Sequence, residues 1–149
     1  LAVFTAVIAF ESSTGSTEIS DYRGLATRSP VIAGVMLVGL LSLAGIPGTG
    51  GFLGKFFVFG SAIQFGVTQT YVLAALGVLT TVIAAFYYLN VVRYMFFEPA
   101  EEDAKPVPVG IGLKVGLAIT AAGILVVGVY PQPFLDLATE SMQMLGMVF

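Results

Sequence analysis

Apolar and polar positions along the chain sort into long blocks, not into the short alternating runs of half-buried strands. Residues 1–10, 31–66, 71–97 and 109–130 are almost continuously apolar, and polar loops separate them. A helix crossing a bilayer needs about 20 apolar residues, so the pattern predicts an all-α, polytopic transmembrane helical bundle. The block at 1–10 is too short for a full crossing and has no basic stretch before it, so it reads as the end of a span and not as a signal peptide. On that reading, residues 1–149 form the C-terminal part of a longer polypeptide.

The loop at 11–30, ESSTGSTEISDYRGLATRSP, is rich in Ser, Thr and Gly and ends with Pro30 at a helix start, where a missing N–H costs nothing. The loop at 98–108 has an acidic run and three prolines and is unsuited to lipid. In the tail, residues 131–149, Phe134, Leu135, Leu137, Ala138, Met142 and Leu145 recur near helical spacing. That pattern predicts an amphipathic helix lying at the interface or packed on the bundle.

Residues 31–66 carry the most information. As one helix they would extend roughly 54 Å against a hydrocarbon core of about 30 Å. The interruption falls at residues 45–51, where Gly45, Pro47, Gly48, Gly50 and Gly51 surround Ile46 and Thr49. Pro47 removes a helical N–H and collides with the carbonyl four residues back. Two topologies fit, a hairpin of two short spans or one crossing made of two half-helices. With one broken crossing, Arg23, Arg28, Arg93, Lys105 and Lys114 all lie on one side, whereas a hairpin scatters them. The positive-inside rule favours the single discontinuous helix. It places loops 11–30 and 98–108 in the cytoplasm and the C-terminus on the outer side.

Composition narrows the chemistry. Hydrophobic residues make up 57% and charged residues 10%, where soluble domains carry about 25% charged residues. The net charge of -3 does not suit a nucleic-acid binder. There is no Cys and no His, which excludes thiol and imidazole catalysis and nearly all zinc, haem and iron-sulfur ligation. Neither a glycine fingerprint for nicotinamide or flavin nor a cofactor-binding set is present, so no cofactor and no metal is expected in this chain.

One charge lies deep in an apolar block. Lys55, in Gly51-Phe-Leu-Gly-Lys, is about 16 Å along a helix from Gly66. A snorkelling lysine would sit within about two turns of a span end. A lysine in the membrane interior costs on the order of 3 kcal/mol, and such residues commonly mark ion and proton paths. An unwound backbone beside it would line a cavity, and half-helix ends at such breaks serve ion sites in transporters. Lys55 is therefore the candidate proton-relay residue, and the structural alternative is a lysine buried in a scaffold. Blocks 31–66, 71–97 and 109–130 contain no Asp or Glu, so a counter-ion must come from elsewhere. Thr80, Thr81 and Tyr87 could hold waters, and interhelical hydrogen bonds or an aromatic belt explain them equally well.

Four stretches carry a family resemblance: DYRGLATRSP, LLSLAGIPGTGGFLGKFFVF, FYYLNVVRYMFFEP and VYPQPFLDLA. In order and spacing they resemble the C-terminal part of the antiporter-like N subunits of respiratory complex I, the proton-pumping NADH:quinone oxidoreductase. The resemblance implies a respiratory-chain membrane subunit that translocates protons, coupled to electron transfer from NADH to quinone in other subunits. It identifies Lys55 with the lysine of a second broken helix and Gly45, Ile46 and Pro47 with the break. It also places the chain in an energy-transducing membrane such as a bacterial inner membrane. Neighbouring antiporter-like subunits are the implied partners, and NADH, FMN, iron-sulfur clusters and quinone belong to partner subunits. Gly48 departs from the pattern, since many relatives have a second proline there. A sodium/proton antiporter subunit and a non-transporting scaffold subunit are the alternatives.

Overall fold

Backbone N–H and C=O groups in an apolar segment must be satisfied within the segment itself, which selects helix for blocks of this kind. The computed structural model describes residues 1–101, 104 and 106–144. Among them the chain forms helices α1 (Ala2–Thr14), α2 (Leu25–Arg28), α3 (Pro30–Ala44), α4 (Gly50–Gln64), α5 (Thr68–Phe97), α6 (Ile111–Val129) and α7 (Gln132–Met144), with a 3-10 turn at Ile19–Tyr22 and no strand. Two of these, α5 with 30 residues and α6 with 19, are long and apolar enough to cross a bilayer. Lys105 and the end of the expected amphipathic tail, residues 145–149, lie outside the described residues.

The centre of the bundle is α3. It packs against α1, α5 and α6 on its sides and against α4 beyond its end. Ile32, Ala33, Met36 and Leu40 of α3 share one core with Ala6 and Phe10 of α1, Met95 of α5 and Leu117 of α6. In lipid such contacts are held by close packing and dispersion, since tails are as apolar as the side chains. Gly39 shows the fit, because its missing side chain leaves the space that Val3 of α1 fills.

The segment expected to be a polar loop, 11–30, is largely folded. α1 continues to Thr14, with the hydroxyls of Ser12 and Ser13 donating to the Ala9 carbonyl and that of Thr14 to the Phe10 carbonyl. These bonds satisfy polar side chains without leaving the helix. The chain then docks back on the bundle. Tyr22 stacks on Phe10 with ring centroids 4.1 Å apart, the Gly24 N–H donates to the Tyr94 carbonyl at 3.1 Å, and Leu25 is fully buried. Glu98, at the end of α5, receives Arg23 at 3.0 Å and Arg93 at 3.1 Å. Burial in this segment thus falls on Tyr22, Leu25 and Ser29, while the polar run at 11–14 stays exposed.

The two 15-residue helices α3 and α4 are each roughly 22 Å long, short of a full crossing. They meet different stretches of α5. Tyr88, Val91, Val92 and Met95 join the core with α3, while Gly77, closer to the start of α5, leaves room for the ring of Phe59 of α4. Along the outer faces of α4, α5 and α6 large apolar side chains point away from the protein, among them Phe56, Leu73, Phe86 and Ile119.

The α3–α4 break and Lys55 as a candidate functional site

Helix termini leave backbone groups without partners, and at a break between two helices both ends must be satisfied at once. α3 ends in a left-handed Gly45, with φ of 84°, and Gly48 follows at φ of 89°. Side chains rarely tolerate that region, so glycine is required at both turns. The Gly45 N–H donates to the Leu41 and Ser42 carbonyls and the Ile46 N–H to the Leu41 carbonyl, which closes the last turn of α3.

The Leu43 carbonyl is left over. Its helical donor would be the N–H of residue 47, and Pro47 has none. Lys55 fills the gap, with Nζ donating to the Leu43 carbonyl oxygen at 2.6 Å. Its stem lies beside Gly45, and a Cβ at that glycine would meet Lys55 Cδ at 3.3 Å. A cation at the C-terminal end of a helix also meets the negative end of the helix dipole. Lys55 lies in the second turn of α4, near the positive end of that helix. The fold instead bends its side chain back to the end of α3, where the local field has the opposite sign.

The start of α4 is satisfied in the reverse direction. Thr49, the residue before α4, spends its hydroxyl on the Ile46 carbonyl at 2.7 Å and gives no side-chain cap to the helix. The Gly51 N–H donates to Ser42 Oγ at 3.0 Å. Ser42 is 8% exposed and sits so close to Gly51 that a Cβ there would lie 2.7 Å from the Ser42 carbonyl carbon. Each of the two helices thus satisfies an orphan group of the other. A third element closes the site, because Gly128 of α6 lets its backbone lie directly on Gly48 and Thr49, and Gly50 faces Val127.

The other sequence candidates fall elsewhere. The hydroxyls of Thr80 and Thr81 both donate to the Gly77 carbonyl of their own helix, at 3.0 and 2.8 Å. Tyr87 is 64% exposed and packs edge-on against Phe86. Of the break residues, Gly45 lies beside Lys55, Gly51 meets Ser42, and Gly48 and Gly50 face Gly128 and Val127 of α6. Ser42 and Gly128 were not singled out from sequence. Ser42 could have been, as the one hydroxyl in α3 and one turn before the break. Gly128 carries no such signal, since nothing in Val-Val-Gly-Val says that another backbone lies against it. No group of three or more possible metal ligands occurs among the described residues.

Long apolar helices, outward-facing apolar side chains and helices α3 and α4 joined at a glycine and proline turn define an all-α integral membrane protein. Comparison with known proteins makes the class specific. The family described as NADH:quinone oxidoreductase/Mrp antiporter, TM, matches residues 1–84, and the chain belongs to that family. It is 42% identical over 141 residues to the NADH-quinone oxidoreductase subunit N of Moorella thermoacetica, covering 95% of this chain and 29% of that protein. To the F(420)H(2) dehydrogenase subunit N of Methanosarcina mazei it is 39% identical over 136 residues, covering 89% of this chain and 27% of the relative. Among solved structures, respiratory complex I from Thermus thermophilus with bound Aureothin matches with a TM-score of 0.68 and 25% identity, over 88% of this chain and 31% of that chain. The chain spans less than a third of the length of each of these relatives.

Proposed function

We propose that this chain is the C-terminal part of an antiporter-like subunit N that moves protons across an energy-transducing membrane, with Lys55 as a relay residue. The observation that carries the reading is the hydrogen bond from Lys55 Nζ to the Leu43 carbonyl that Pro47 leaves without a helical donor. A protonatable group holding together two helix ends can couple its proton to the geometry of the break. Membership of the antiporter family supports the same reading, as does the name of the Moorella relative.

α3 and α4 then form one discontinuous crossing, a reading supported by their packing on different stretches of α5. Loops 11–30 and 98–108 lie on the cytoplasmic side and the C-terminus outside, as the lysine and arginine distribution favours. Electron transfer from NADH to quinone belongs to other subunits, with FMN and iron-sulfur clusters there. The relative named for F(420)H(2) fits a modular arrangement in which the electron donor is chosen outside this subunit. Other membrane subunits of complex I are the partners, and one of them or the upstream sequence supplies any counter-ion for Lys55. Thr80, Thr81 and Tyr87 are secondary candidates for holding water.

The test is quinone-dependent proton pumping together with electron transfer in membranes carrying the intact parent protein. Lys55→Ala lowers both several-fold while the complex still assembles. Lys55→Arg keeps the charge but holds its proton at all accessible pH values, and so does not restore pumping. Wild-type activities in both variants would make Lys55 a structural lysine and end the proposal.

A further inference from the structure

The break is held by two bonds that run in opposite directions across it. Lys55 of α4 serves the end of α3, and Ser42 of α3 serves the start of α4. Four residues, one helical turn, separate Gly51 from Lys55, so the point where Ser42 holds α4 sits directly below the base of the lysine side chain. The first-turn N–H groups of α4 have no side-chain cap from Thr49, and the Ser42 hydroxyl supplies one from another helix. Backbone contact between Gly51 and Ser42 leaves no slack at that point.

We propose that Ser42 is a positioning residue for Lys55: by accepting the Gly51 N–H it fixes the first turn of α4 against the last turn of α3, which keeps Lys55 Nζ within reach of the Leu43 carbonyl. This rests on the reading of Lys55 as a relay residue. Without the Ser42 hydroxyl, the first turn of α4 loses its partner and the lysine loses its fixed distance to the Leu43 carbonyl.

No other charged group takes over that role among the described residues packed on α4. α3 has no ionisable side chain. Arg93 of α5 is paired with Glu98, at the opposite end of α5 from the Phe59 contact at Gly77. Lys114 of α6 lies near the start of that helix, whereas α4 approaches it at Val127. The remaining ionisable groups are the phenols of Tyr71, Tyr87, Tyr88 and Tyr94 on α5 and Tyr130 after α6.

The experiment uses the intact complex and compares Ser42→Ala, Ser42→Cys and Ser42→Thr with wild type and Lys55→Ala. Proton pumping is measured in the assembled complex, and amide hydrogen exchange is followed in the peptide containing Gly51. Ser42→Ala is expected to speed exchange at Gly51 about tenfold or more and to lower pumping about threefold or more in the assembled complex. Ser42→Cys, with a weak acceptor of similar size, follows Ala, and Ser42→Thr restores both readouts. Wild-type pumping in assembled Ser42→Ala would overturn the inference, and so would loss of assembly in all three variants, which would mark Ser42 as a packing residue only. Full pumping in Lys55→Ala would instead refute the relay reading itself, so the two failures are separable.

Discussion

A methyl group placed at Gly128 tests whether α6 lies against the break as closely as the structure has it. A Cβ there would lie 2.5 Å from the Gly48 carbonyl carbon and still closer to the Gly48 oxygen and Thr49 Cα. All three are backbone atoms of a turn fixed by two left-handed glycines, so no side chain can rotate away. Restoring carbon contacts to their usual separation requires the two backbones to part by about 1 Å. Overpacking of this kind costs typically 1–3 kcal/mol. Alanine in place of glycine inside a helix returns up to about 1 kcal/mol, which leaves Gly128→Ala destabilising by up to about 2 kcal/mol. Gly123, five residues earlier in the same helix, has nothing within 4 Å of its Cβ position. Gly123→Ala therefore keeps the propensity gain without the clash, and the two variants differ in sign. The assay is the midpoint of denaturing-detergent unfolding of the purified full-length subunit, with proton pumping measured in parallel. Gly128→Ala should unfold earlier and pump less, and Gly123→Ala should do neither. Equal midpoints for the two variants would refute the close approach of α6 to the break.

The ion cluster at the end of α5 gives a salt-dependent effect. Arg23, Arg93 and Glu98 side chains are 40%, 66% and 20% exposed, so solvent screens both pairs. Glu98→Gln should cost about 1 kcal/mol or less at low ionic strength and almost nothing in high salt, and an unchanged loss at high salt would argue for a packing defect instead. Tyr22 gives a pH effect of known sign. Burial pushes its phenol above the usual 10, and the Glu11 carboxylate pushes the same way. The folded state therefore favours the neutral phenol, so its contribution to docking of residues 19–28 is complete below pH 10 and is lost as pH rises through the raised value. The difference in tyrosinate absorbance between wild type and Tyr22→Phe should show one phenol titrating above 10, and titration at or below 10 would contradict the buried stack on Phe10.

Sequence alone determined the class of this protein and the place to look. Unbroken apolar blocks admit only helices in lipid, because the backbone has no other source of hydrogen bonds there. The glycines and proline at 45–51 cannot continue a helix, whatever surrounds them. A lone lysine in an apolar block demands a partner on energetic grounds. The four motifs carried the family, and the matched family agrees. What they left open is everything that depends on which residues meet. Pro47 orphans the Leu43 carbonyl by local geometry, but only the path of the chain through the turn brings Lys55 to it. Ser42 reads as one more small residue in an apolar helix until Gly51 is seen against it. Tyr22 and Leu25 lie in a segment that is polar by composition, and they are buried because α1 and α5 offer surfaces there. Local sequence dictates which backbone groups lack a partner, whereas the residue that satisfies each of them is chosen by packing across the fold.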